Sequence, residues 1–95
     1  MVRLWGWVLG AVLAAGCATA STAGTPDGER SIKEFQLAAG LRQEGQVAGA
    51  IEHLHKAIEL DPSNAEAVLL LGFIQMERRD YQSAEQHLSR GIKLL

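Results

Sequence analysis

Residues 50–62, AIEHLHKAIELDP, carry one apolar stripe and then stop. Ala50, Ile51, Leu54, Ala57 and Ile58 recur at the three- and four-residue intervals that put side chains on one helix face, so Val47 to Leu60 predicts an amphipathic helix. Asp61-Pro62 ends it, because proline lacks an amide hydrogen and its ring clashes with the turn before it. The pattern returns 34 residues later as AEQHLSRGIKL, residues 84–94. Ala50 matches Ala84, His53 matches His87, Leu54 matches Leu88, Ile58 matches Ile92 and Leu60 matches Leu94, with near-matches of Lys56 to Arg90 and Ala57 to Gly91.

Extending the same shift towards the N-terminus pairs Leu37 with Leu71, Phe35 with Leu69 and Ala38 with Gly72, so each copy holds a second helix upstream of the first-read stripe. Ser31-Ile32-Lys33-Glu34 has the form of a capping box opening helix one, and Gly45 suits its end. Ser63-Asn64-Ala65-Glu66 repeats that box ahead of helix three, which runs to about Arg78; Arg79-Asp80 is a turn, and helix four starts at Tyr81. The expected fold is all-α: two antiparallel helix-turn-helix hairpins, stacked as a short α-solenoid. Ala38, Gly72, Ala50, Ala84, Ala57 and Gly91 are small enough to let helix backbones approach, and Leu37, Leu54, Leu71 and Leu88 are expected to fill the gaps between them.

Period, helix pairing and small-residue positions together make residues 31–95 resemble the tetratricopeptide repeat. The residues that carry the likeness are Leu37, Ala38, Gly45, Ala50, Leu54, Ala57 and Pro62 in residues 31–64, and Leu71, Gly72, Tyr81, Ala84, Leu88 and Gly91 in residues 65–95. Glu34 and Val68 stand where that family commonly has an aromatic, and the second unit stops before another Asp-Pro. Two units are few, since each hairpin buries its apolar face only against a neighbour and about three are usually needed for independent stability. An end-to-end homodimer, a partner protein, or a longer array of which these residues are the start would each cover the apolar edge at Ile92-Lys93-Leu94-Leu95.

Composition narrows what such a fold can do. The formal net charge is -2 and the sequence pI is about 5.9, with no cluster of basic residues to meet a phosphate backbone, so nucleic acid is excluded as a partner. No nucleophile has a base and an orienting partner nearby in the pattern, and no glycine-rich phosphate loop is present; neither catalysis nor a cofactor is expected. His53 and His55 are two residues apart and diverge around a helix, while His53 and His87 hold equivalent repeat positions, which favours a structural use over metal ligation.

Helix three, AVLLLGFIQM from Ala67, is apolar almost all round. Val68, Leu71 and Gly72 belong to the core stripe, and Leu69, Phe73 and Met76 form a second one. In the tetratricopeptide family first helices line a concave groove, so the resemblance implies a partner-binding groove of Phe35, Ala39 and Arg42 beside Leu69, Phe73, Met76 and Glu77. Such a surface suits a protein or peptide partner. Packing against another repeat is the competing use of the same stripe. The lysine and asparagine set with which some relatives clamp a terminal carboxylate is not matched, since Phe35 and Ala39 stand there.

The first thirty residues read differently. Met1-Val2-Arg3 is a short positive start, Leu4 to Ala15 has no charge, and Ala14-Ala15-Gly16 leads to Cys17, the only cysteine. That is the layout of an export signal over residues 1–16, too short for the ~20-residue span a bilayer requires. Leu13-Ala14-Ala15-Gly16-Cys17 resembles a bacterial lipobox, which implies lipidation of Cys17 and a chain held to a membrane by its lipid. Residues 17–30 then form the lipidated cysteine and a flexible tether, poor in large apolar side chains. Ala18 after the cysteine implies, by similarity to enterobacterial lipoproteins, the outer membrane facing the periplasm. The expected protein is therefore an envelope lipoprotein whose repeats bind other proteins, as scaffold or assembly factor in the manner of pilus and secretin assembly lipoproteins. The alternatives are a self-associating tether without a specific groove, and the N-terminal part of a longer array.

Overall fold

The computed structural model describes residues 24–95; the expected signal at 1–16, Cys17 and the tether as far as residue 23 lie outside them. Four α-helices follow in order: α1 (Pro26–Gln43), α2 (Val47–Leu60), α3 (Ala65–Glu77) and α4 (Tyr81–Leu94). No strand occurs among the described residues. α1 packs along α2 and α3 along α4, giving two hairpins; α2 meets α3 across the repeat boundary. α1 also touches α3, while α2 and α4 do not meet, so the array curves with α1 and α3 on its inner side.

The start of α1 corrects the sequence expectation. The helix opens at Pro26 rather than Ser31: Thr25 is the N-cap, its hydroxyl accepts from the Gly28 amide at 3.1 Å, and proline takes the first helical position, where no amide hydrogen is required. Asp27 and Glu29 lie in the first turn, where negative charge opposes the helix dipole. Residues 26–30 of the expected tether are thus helical, and Ser31 is an interior, fully buried residue. At α3 the cap is Asn64, which accepts from the Ala67 amide at 3.2 Å, and not Ser63. Ser63 instead donates through both its amide and its hydroxyl to the Asp61 carboxylate, at 3.0 and 2.6 Å, closing a local turn after α2.

Both hairpin turns use one device. The Gly45 amide donates to Arg42 and the Gln46 amide to Leu41, and 34 residues on the Arg79 amide donates to Met76 and the Asp80 amide to Gln75. This pair of bonds, spanning three and five residues, is the Schellman closure, which places one residue in the left-handed region. Gly45 takes it with φ 81° at no steric cost, whereas Arg79 takes it with φ 65° and carries a side chain there. Arg79→Gly is therefore expected to stabilise the fold by about 0.5–1 kcal/mol, the left-handed strain relieved less the extra freedom glycine gains when unfolded. Urea unfolding of the two proteins measures it, and a lower midpoint for the glycine variant would contradict the strain argument.

The core is built from small residues closed by a few large ones. Ala38, Ala50, Leu54, Ala57, Ala67, Leu71 and Ile74 form one buried cluster, with Phe35, Ile51 and Ile58 packed against it. The tightest approach is at Gly91, where a Cβ would lie 2.5 Å from the Leu69 side chain; Gly72 meets Leu88 in the same way at 2.8 Å. Leu37 departs from expectation. It is 49 % exposed while Leu71, its repeat equivalent, is fully buried, because Leu71 has α2 on its outer side and Leu37 has no helix in that place among the described residues.

Candidate functional site on the inner face

The inner face is made where α1 and α3 run side by side, and one contact ties them. An Arg42 Nη donates to Glu77 Oε1, so the cation and anion expected at the groove edge neutralise each other across it. Arg42 is the basic residue of the last turn of α1, where it also complements the helix dipole. Both side chains are partly exposed, at 39 and 55 %, and the Arg42 Nε is buried without a partner. A pair this accessible contributes little to stability and chiefly fixes where the two charges sit.

Beside the pair, Phe73 and Met76 are 47 and 42 % exposed. Glu77 and Phe73 are four residues apart, so they share one face of α3, and Met76 flanks them. On α1, Ala39 lies three residues before Arg42 and is half-buried. The other two residues expected in the groove are committed elsewhere. Leu69 rests on Gly91 and so belongs to the α3–α4 hairpin, while Phe35 is packed against the central cluster. These are the large residues that the small positions of the repeat make room for, which is why a second apolar stripe on α3 does not translate whole into a groove.

Ile32 was not among the expected residues and is 48 % exposed. It stands three residues before Phe35 and seven before Ala39, a spacing that keeps all three on one side of α1 and that was readable in the sequence. The inner face therefore offers Ile32, Ala39, Phe73 and Met76 around a neutralised ion pair. It can hold apolar side chains, and it presents no unopposed cation from the expected set for a carboxylate.

The histidines have structural partners. The His53 ring donates from Nδ1 to Glu34 at 2.6 Å, joining α2 to α1, and the His87 ring donates from Nδ1 to Gln75 at 2.8 Å and to the Ser83 carbonyl at 3.0 Å, joining α4 to α3. Equivalent histidines thus do the same work in each hairpin, and Glu34 gives up the aromatic contact for this bond. Among the described residues no three His, Cys, Asp or Glu side chains come together to hold a metal ion, and no helix is long and apolar enough to cross a membrane. A pocket of about 330 Å³ opens between α2 and the α3–α4 turn, lined by Ile51, Gln75, Arg78 and Asp80.

Set beside known proteins, the chain matches the family model described as tetratricopeptide repeat over residues 41–94. A search of curated proteins gave no match.

Proposed function

From the premise that this chain belongs to the tetratricopeptide repeat family, we propose that it acts by binding another protein on the α1–α3 face, and that lipid on Cys17 holds it at the cell envelope. Repeats of this family are typically interaction modules without chemistry of their own, and the inner face here combines apolar exposure with an ion pair. The observation that carries the reading is the pairing of half-exposed Phe73 and Met76 with the Arg42–Glu77 bridge. Burying two such side chains supplies the kind of central apolar anchor on which interfaces depend, and the ion pair at the edge sets register. The partner segment is apolar, because Glu77 already neutralises the Arg42 charge at this edge and the residues beside the pair are Phe73 and Met76.

The envelope half of the proposal rests on Leu13-Ala14-Ala15-Gly16-Cys17 and on the small, polar residues that follow it. Two or more acyl chains at about 0.8 kcal/mol per buried methylene give stable attachment where one chain gives little. The module would then face the periplasm from the outer membrane and recruit or assemble a larger envelope complex.

A photo-crosslinking residue at position 73 tests the face directly. It is expected to yield a defined adduct in cells that a crosslinker at Gln82 does not, and Phe73→Glu is expected to abolish capture while leaving the helical circular dichroism unchanged. Unfolding of Phe73→Glu would instead assign the side chain to packing. Independently, mass spectrometry of detergent-extracted protein is expected to find an N-terminal peptide beginning at Cys17 and carrying diacylglyceryl and acyl groups; an unmodified cysteine would remove the anchor and leave the binding face standing.

A further inference from the structure

The pocket between α2 and the α3–α4 turn holds two opposite charges that do not meet. Arg78 and Asp80 stand two residues apart across the turn and both line it, with Ile51 and Gln75. Neither forms an ion pair among the described residues. On the inner face Arg42 and Glu77 cancel each other, whereas here the cation and the anion are both left to something placed between them. Their backbones are fixed by the helix ends. The Arg78 amide donates to the Ile74 carbonyl and closes α3, and Asp80 caps α4 by accepting from the Ser83 amide at 3.4 Å with one carboxylate oxygen, which leaves the other.

Gln75 and Ile51 supply the rest of the lining. The His87 Nδ1 lies 3.0 Å from the Ser83 carbonyl, which can only accept, so this ring nitrogen carries a hydrogen and the Gln75 oxygen, 2.8 Å away, accepts from it as well. What Gln75 has left for a ligand is its NH2 group. Ile51 packs against the central cluster and shows its remaining surface to the pocket. The lining therefore offers a guanidinium and amide donors for a carboxylate, a carboxylate for an ammonium, and an aliphatic surface beside them. A volume of about 330 Å³ lies at the low end for ligand pockets, which suits a small molecule more than a length of chain. A simple anion would meet Asp80 as well as Arg78, and the end of a peptide brings one of the two charges without the other beside it.

We propose that this pocket binds a free α-amino acid with an aliphatic side chain. The ligand carboxylate lies on Arg78 and the Gln75 amide, its ammonium on Asp80 and its side chain on Ile51. None of these four residues belongs to the α1–α3 face, so the site is independent of the protein partner taken there. The probe is L-leucine, titrated into the isotope-labelled full chain and followed by heteronuclear NMR.

Saturable shifts are expected at Ile51, Gln75, Arg78 and Asp80, with Phe73 unmoved. Leucinamide, which lacks the carboxylate, and isocaproate, which lacks the ammonium, should each bind about tenfold more weakly than leucine, and Arg78→Gln should weaken leucine by a similar factor. Asp80→Asn keeps the cap, since asparagine caps a helix about as well as aspartate, and should bring leucine and isocaproate to within about twofold of each other. No saturable shift, or unchanged affinity for leucine in Arg78→Gln, would overturn the proposal. Isocaproate binding the parent protein as tightly as leucine would also overturn it, by making the pocket a site for any carboxylate, and shifts centred on Phe73 would give the amino acid to the inner face.

Discussion

Leu71→Ala is expected to lower the unfolding free energy by about 3–4 kcal/mol, enough to leave much of the chain unfolded at room temperature. Leu71 is fully buried and lies in the one cluster that draws on α1, α2 and α3. The alanines around it cannot grow into the space, so truncation forfeits the transfer energy of the lost atoms and leaves a cavity besides. A single core in a fold this small supplies roughly 3–5 kcal/mol in all, which makes one such loss decisive. The repeat provides its own control. Leu37→Ala removes the same atoms from the equivalent place in the other hairpin, where the side chain is 49 % exposed, and is expected to cost under ~1 kcal/mol. Guanidinium unfolding followed at 222 nm separates the two cases, and equal costs would mean that Leu37 is covered in solution by something seated on the outer side of α1.

That contrast shows where sequence reading stops. Periodicity found the four helices, because a helix that must bury one face has to repeat its apolar residues at three and four, while Asp61-Pro62 and the Arg79-Asp80 turn placed the end of α2, the end of α3 and the start of α4. It could not tell Leu37 from Leu71, since the two share every local feature and differ only in whether a neighbour stands outside them. The inner face shows the same limit. Arg42 and Glu77 were placed on one groove by the family resemblance, but Leu69 and Phe35 share their apolar character with Phe73 and differ in what stands opposite. Gly91 opposite Leu69 leaves a hole that the leucine enters, and such a pairing is a property of two helices, not of one stripe. Arg79 was legible as part of a turn, though its left-handed backbone was not, because only the match to Gly45 in the closed hairpin reveals it.

Ser31→Ala is expected to cost about 2 kcal/mol, more than the loss of an ordinary helix cap, and it discriminates between the two roles the residue can be given. As a cap, the hydroxyl would serve the first turn of α1 alone, and its removal would cost ~1 kcal/mol. In the fold it is fully buried, donates to the Ala57 carbonyl at 2.7 Å and accepts from the Asn64 side chain at 2.9 Å. Asn64 in turn caps α3. One hydroxyl therefore ties α1 to the last turn of α2 and to the first turn of α3, and alanine leaves an amide of Asn64 without that acceptor in a half-buried place. Asn64→Ala should lose both its cap and this bond, and the Ser31→Ala, Asn64→Ala double variant should cost less than the sum of the singles by about 1 kcal/mol, because the shared bond can be lost only once. Ser63→Ala, which the capping-box pattern ranks equal to Ser31→Ala, should fall within a few tenths of a kcal/mol of the parent, since Ser63 is exposed and bonds only within its own turn. Additive singles, or equal costs at positions 31 and 63, would return Ser31 to the role of a local cap and leave the repeat boundary held by apolar contact alone.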